Sequence, residues 1–323
     1  MTLVAAFVRN GFPFMIGDAL LSSLEPRTDR FILPTVGKST KLRVEVRENE
    51  YKISGLAQKV NVIHERLVVG FTGGREQAEA FLMELKFRAS ADQPALESVI
   101  DTLKHCDSGI WSNLGIAAGF LTGGEQGGVI SHGKGIDTTP LESLVGLRVL
   151  GSGRAGFYDV ATYVLRGEMP SCDEFGRHAA FIRELMVPLS MVGNLISREI
   201  RSQSTLLDSF GGGFEIIAKF GAGFEKVDRV LYIEVLTTVK GGEVDFRIVP
   251  RFQYFSYVGN LLLIQSIYEN EDGSFGRRTT PVPPIDEPLL PEAKITTPPI
   301  SPMFTVIMVH LLIFARLTNL SHR

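Results

Sequence analysis

The sequence predicts an α+β chain, a four-layer αββα sandwich with an extra C-terminal extension, and three observations predict it. The chain opens with two apolar runs, Leu3 to Val8 and Phe12 to Ile16, around Arg9-Asn10-Gly11, and Asn-Gly supplies the positive φ angles of a tight hairpin turn. Apolar residues then recur at helical spacing in two separate blocks, Arg75 to Lys104 and Tyr158 to Arg201. Strand-like segments fall in groups before, between and after those blocks. That order suits stacked sheets with helices outside, and not the regular alternation of a doubly wound fold.

Taken in order, Ser22 to Glu50 is a polar, charged insertion of about 22–50, and Lys41 to Arg47 alternates apolar and charged residues as an exposed extra strand would. Ala78, Phe81, Leu82 and Leu85, then Leu96, Val99, Ile100 and Leu103, predict two helices separated near Asp92-Gln93-Pro94. Gly115 to Leu121 and Gly128 to His132 predict a hairpin, and Leu147 to Leu150 a strand. Tyr158 to Arg166 and Glu174 to Arg201 read as helices, the second kinked or broken at Pro188. Glu215 to Lys219, Arg229 to Val239 and Val244 to Val249 read as strands. The expected organisation is a main domain over 1–250, an additional strand or helix over 251–278, a Pro-rich linker over 279–302 and an apolar tail over 303–323.

Composition narrows the function classes. A net charge of −3 and a pI near 6.1 give no electrostatic case for nucleic acid or an anionic membrane. The two cysteines, Cys106 and Cys172, suit a reducing compartment and have no metal-like spacing. Arg9 interrupts the first apolar stretch and no basic region precedes it, so no signal peptide is expected and the cytoplasm is the expected location. The apolar stretch Met303 to Ala315 falls short of the about 20 residues of a membrane span. His64, His105, His132 and His178 are scattered, without HExxH or a Gly-x-Ser-x-Gly elbow.

The first residues carry the chemistry. Removal of Met1 would leave Thr2 with its hydroxyl beside its own α-amine. An α-amine titrates near roughly 7.7–8.0, so it can act as a base close to neutrality and activate the hydroxyl without a histidine. The hairpin returns Gly17-Asp18 to the end where Thr2 lies. Two further segments stand in order: Leu67 to Phe81, with Gly70, Gly73 and Gly74, and Leu147 to Gly153, which ends in Gly151-Ser152-Gly153.

With these segments the chain resembles the proteasome-type N-terminal nucleophile (Ntn) hydrolases, the family of proteasome beta subunits and HslV, over roughly Thr2 to Ile248. The resemblance implies the Ntn hydrolase fold, a threonine-type peptidase or amidohydrolase that needs no cofactor, a peptide or amide substrate and a homo-oligomer of the ring type, with an unfoldase ATPase as a candidate partner. It implies Thr2 as nucleophile, with Asp18 tuning the amine and Ser152 orienting it. Counting back from Gly70 with one insertion puts Ser54 where the family has its lysine. Lys52 is then the nearest lysine, and a two-residue slip keeps it on the same strand face; by itself it reads as a solvated edge residue. Asp208 matches the family's later aspartate, whereas Gly211 stands where a serine is expected.

Two other readings remain open. One is a catalytically degenerate member of the fold, an assembly or binding subunit. The other is remote: Gly151, Gly153 and Gly156 satisfy GxGxxG after a strand, the fingerprint of a dinucleotide-binding protein, yet Glu168 to Asp173 reads as a loop where the next strand should be.

Overall fold

A computed structural model describes residues 2–23, 33–35, 43–46, 49–89, 95–105, 113–122, 127–167, 179–202, 210–240, 243–269, 272–287 and 299–313. In chain order the strands and helices are β1 (Val4–Arg9), β2 (Phe12–Asp18), β3 (Leu20–Ser23), β4 (Arg43–Val46), β5 (Asn49–Leu56), β6 (Val60–His64), β7 (Leu67–Gly73), α1 (Arg75–Arg88) and α2 (Ala95–His105). They continue as β8 (Leu114–Leu121), β9 (Gly127–Gly133), β10 (Ile136–Asp137), β11 (Val145–Leu150), α3 (Arg154–Arg166), α4 (Ala179–Ser202), β12 (Phe214–Phe220) and β13 (Gly223–Lys226). The last five are β14 (Val230–Lys240), β15 (Glu243–Val258), β16 (Leu261–Glu269), β17 (Phe275–Val282) and β18 (Phe304–Ile313). The chain is therefore mixed α/β, with four helices among the described residues.

The opening hairpin forms as its sequence dictates. Asn10 and Gly11 take φ of 45° and 84°, and Arg9 pairs with Phe12, so two left-handed residues close the turn. The hairpin becomes the centre of a six-stranded sheet ordered β10-β11-β1-β2-β12-β13. Both of its faces are buried, which is why its strands read as unbroken apolar runs. Leu3, Ala5, Phe7, Phe14 and Ile16 meet Phe157, Val160, Ala161 and Val164 of α3 and Leu185, Val192, Leu195 and Ile196 of α4. Val4, Ala6 and Met15 face the other way, onto Val60, Val68 and Ala117 of a four-stranded sheet ordered β6-β7-β8-β9. That sheet turns Leu67, Val69 and Phe71 outward onto Ala78, Phe81, Leu82 and Leu85 of α1 and Val99 of α2. Each of the larger side chains among these, Val, Leu, Ile, Phe or Met, contributes about 1.5–3 kcal/mol on burial.

Glycine lets the two sheets close together. A Cβ on Gly70 would lie 2.6 Å from Val4 Cγ1, and one on Gly17 would lie 2.8 Å from Val60 Cγ1. Substitution at Gly70 would push β7 from β1, and substitution at Gly17 would push β6 from β2.

The C-terminal third departs from the expected organisation. β15 runs unbroken across the boundary expected at 250, and with β14 and β16 it forms the middle of a five-stranded sheet ordered β17-β16-β15-β14-β18. The linker expected from Thr279 meets β17, in which Pro281 stands opposite Leu263. Proline is tolerated there because β17 is an edge strand. The stretch read as an apolar tail contributes β18, parallel to β14 of its own chain. Val306 and Met308 pack where α4 has Gly193, whose Cβ would meet Val306 Cγ1 at 3.2 Å.

α4 holds the pieces together. It is long and apolar enough by length and composition to cross a membrane, but 56% of that stretch is buried inside the protein. Pro188 stands within the helix without ending it. Toward its start, Glu184 pairs with Arg9 and accepts from Asn10 Nδ2 at 2.8 Å, tying the helix to the hairpin turn.

Candidate active site

The site is built where the ends of β1, β2 and β11 converge. Asp18 closes β2, and its amide donates to Leu3 O at 3.0 Å, so the strand pairing itself sets the carboxylate beside the first residues. That carboxylate is fully buried. Its Oδ1 accepts from Thr2 Oγ1 at 2.6 Å, from the Leu3 amide at 2.8 Å and from Lys59 Nζ at 2.8 Å. Its Oδ2 accepts from the Gly211 amide at 2.9 Å. A buried carboxylate with this many donors is satisfied as an anion.

Lys59 lies at the entry to β6 and also donates to the Leu20 carbonyl. Burial depresses its ammonium below the ordinary lysine value, while the Asp18 charge and hydrogen bond act in the opposite sense. Thr2 N donates to Ser152 Oγ at 3.3 Å, and the Gly153 amide donates back to Thr2 O at 3.2 Å. The structure thus brings Thr2 and Asp18, the two ends of one hairpin, together with Ser152 from 150 residues further along the chain.

Lys52 lies in β5, its backbone opposite Ser23 and Arg43, and its side chain is outside the described residues. Asp208 is outside them too. Among the described side chains the lysine in contact with Asp18 is Lys59, a residue the sequence does not single out. The count back from Gly70 assumed an insertion and stopped at Ser54. In the β6–β7 ladder Val60 stands directly opposite Gly70, and that pairing places Lys59 at the entry to the strand.

Gly211 contributes a backbone N–H, for which no side chain is needed. Gly211, Gly212 and Gly213 take φ of 123°, 73° and 130°, a run of positive values that favours glycine. Glu199 of α4 accepts from the Gly212 amide at 3.0 Å and from Thr35 Oγ1, and so holds the loop. Glu199 and Glu215 were both unremarked in the sequence. Their signal was a carboxylate set among buried apolar residues, Leu195 and Ile196 in α4 in one case and the strand neighbours Phe214, Ile216 and Ile217 in the other.

The glycines of the GxGxxG match are committed to the chain's own first residues. Gly151 has φ 92°, and a Cβ there would lie 2.0 Å from Thr2 O; one on Gly153 would lie 2.7 Å from the Phe210 ring. The strand before them, β11, pairs antiparallel with both neighbours. Thr2 and Phe210 thus crowd these glycines, and among the described residues β11 has no parallel neighbour. Gly151→Ala is expected to cost about 3 kcal/mol or more, from backbone strain plus a clash with main chain. Urea denaturation of that variant checks it, and a loss below about 1 kcal/mol would contradict the tight approach.

No protein-family model matches this chain, and no curated protein matches it. Among solved structures, eukaryotic HslV from Trypanosoma brucei is similar over 67% of this chain and 98% of its own, at 14% identity and a TM-score of 0.35. A likeness at that level assigns no role to any residue here.

Proposed function

We propose that the chain is an N-terminal threonine hydrolase of the αββα sandwich type, cleaving amide bonds in peptides. The observation that carries the reading is that Thr2 Oγ1 and Lys59 Nζ both donate to one oxygen of Asp18, with Thr2 N on Ser152. The helix layers on either side of two packed sheets support the architecture.

In this reading, removal of Met1 frees the Thr2 amine. The amine takes the hydroxyl proton as Thr2 Oγ1 attacks the substrate carbonyl, and returns it to the leaving amine. Asp18 and Lys59 fix the hydroxyl and bias its proton by charge, and Ser152 orients the amine. Water then releases the acyl group from Thr2. The competing reading is a catalytically degenerate binding or assembly subunit, and one observation favours it: Thr2 is only 2% exposed.

Mass spectrometry with a peptide epoxyketone decides between them, because that warhead closes a ring only with a free α-amine and its neighbouring hydroxyl. An adduct on a peptide beginning at Thr2 supports the hydrolase. Met1 retained on every molecule, or a free Thr2 that forms no adduct, overturns it.

A further inference from the structure

We propose that Glu215 is a positioning residue for Lys59, and that the C-terminal sheet reaches the site through it; this rests on the hydrolase reading above. The argument begins with the short passage from β5 to β6. Lys59 aims at Asp18 only if its own backbone is fixed, and β6 offers a ladder on one side alone, Val60 opposite Gly70. On the other side the amides of Lys59 and Val60 donate to Glu215 Oε1 at 3.1 and 3.3 Å. Glu215 stands opposite Gly17 in the β2–β12 pairing, beside the residue whose missing side chain admits Val60. One carboxylate oxygen thereby anchors the chain at the point where the Lys59 side chain leaves it.

The other oxygen is held from the C-terminal side. Tyr257 of β15 donates its hydroxyl to Glu215 Oε2 at 3.2 Å, and Lys226 of β13 places its ammonium 3.5 Å from the same atom and 4.9 Å from the Tyr257 ring centroid. Lys226 also donates to Gln58, the residue before Lys59. Gln58 in turn donates through Nε2 to Asn260 O at 2.7 Å and Val282 O at 2.6 Å, and its amide donates to Pro283 O at 2.8 Å. Residues from β13, β15 and the ends of β16 and β17 thus converge on Gln58-Lys59. Burial raises the Glu215 carboxyl above its ordinary range, with Lys226 opposing, so the acid is held there against its solvation preference. An acid with one oxygen on the amides of Lys59 and Val60 and the other on Tyr257 and Lys226 is suited to fixing the geometry of the segment it holds.

The test uses the full chain and two independent readouts. The first is the reactivity of lysines toward acetic anhydride, located by mass spectrometry. Lys59 should be protected in the wild type while the half-exposed Lys86 reacts. In Glu215→Ala, Lys59 should react about 10-fold faster with Lys86 unchanged, and hydrogen exchange across α3 and α4 should stay as in the wild type. Glu215→Gln keeps the acceptor for the two amides and should restore protection to within about 3-fold. Tyr257→Phe, the mildest change, should give an intermediate rise. The second readout is turnover: Glu215→Ala should lower kcat about 100-fold with KM nearly unchanged, since a displacement near 1 Å of a supporting group is enough for that loss.

Lys59 remaining protected in Glu215→Ala overturns the proposal. So does a Glu215→Gln variant as open as Glu215→Ala, or a release of Lys59 matched by loss of protection throughout α3 and α4. A wild type that neither turns over substrate nor takes the epoxyketone would sink the hydrolase reading alone, because lysine reactivity still reports whether Glu215 sets Lys59 against Asp18.

Discussion

Replacing Asp18 by alanine is expected to lower stability by about 3–5 kcal/mol, the largest effect of any single change at the site, because it strands the Lys59 ammonium without its buried partner. The same change leaves the amides of Leu3 and Gly211 without their acceptor in a buried region. The two losses share one cause, so removing the stranded charge should repair part of the damage. Lys59→Met in the Asp18→Ala background should recover on the order of 1–3 kcal/mol, a coupling that independent sites would not show. Urea denaturation of the four proteins in that cycle measures it. An Asp18→Ala variant within about 1 kcal/mol of the wild type would mean that the buried pair does not hold the strand ends together.

Thr2→Ala is expected to remove turnover and epoxyketone labelling, by at least about 1,000-fold, while costing only about 1–2 kcal/mol of stability. The asymmetry follows from the contacts. The variant loses one charge-assisted hydrogen bond, but Asp18 keeps Leu3, Lys59 and Gly211 as donors and no buried group is orphaned. Thr2→Ser, which retains the hydroxyl, should keep measurable turnover. Steady-state kinetics with thermal melts of both variants make the comparison, and an Ala variant that still turns over excludes Thr2 as the nucleophile.

Much of the fold was legible because it rests on local chemistry. The Asn10-Gly11 turn and the helical spacing of Ala78, Phe81, Leu82 and Leu85 needed no knowledge of partners. The end of the chain was less so. Pro281 and its neighbours read as a linker because proline removes a ladder donor, and whether that matters depends on which strand lies at a sheet edge. An apolar stretch such as Phe304 to Ile313 likewise fits a docked tail as well as a strand until its partner is known.

For the site, the sequence by itself determined Thr2, Asp18 and the Gly151-Ser152-Gly153 turn as candidates, since each lies in or beside a recognisable strand or turn. Only the tertiary structure brought Lys59 to Asp18 and gave Glu215 and Glu199 their places. The physical reason is that a strand's side-chain period is two residues, so a one-residue error in register exchanges the two faces. An insertion of uncertain length between β3 and β6 hides that register from any count along the chain. Val60 opposite Gly70, and Val60 against the bare face of Gly17, fix it by packing.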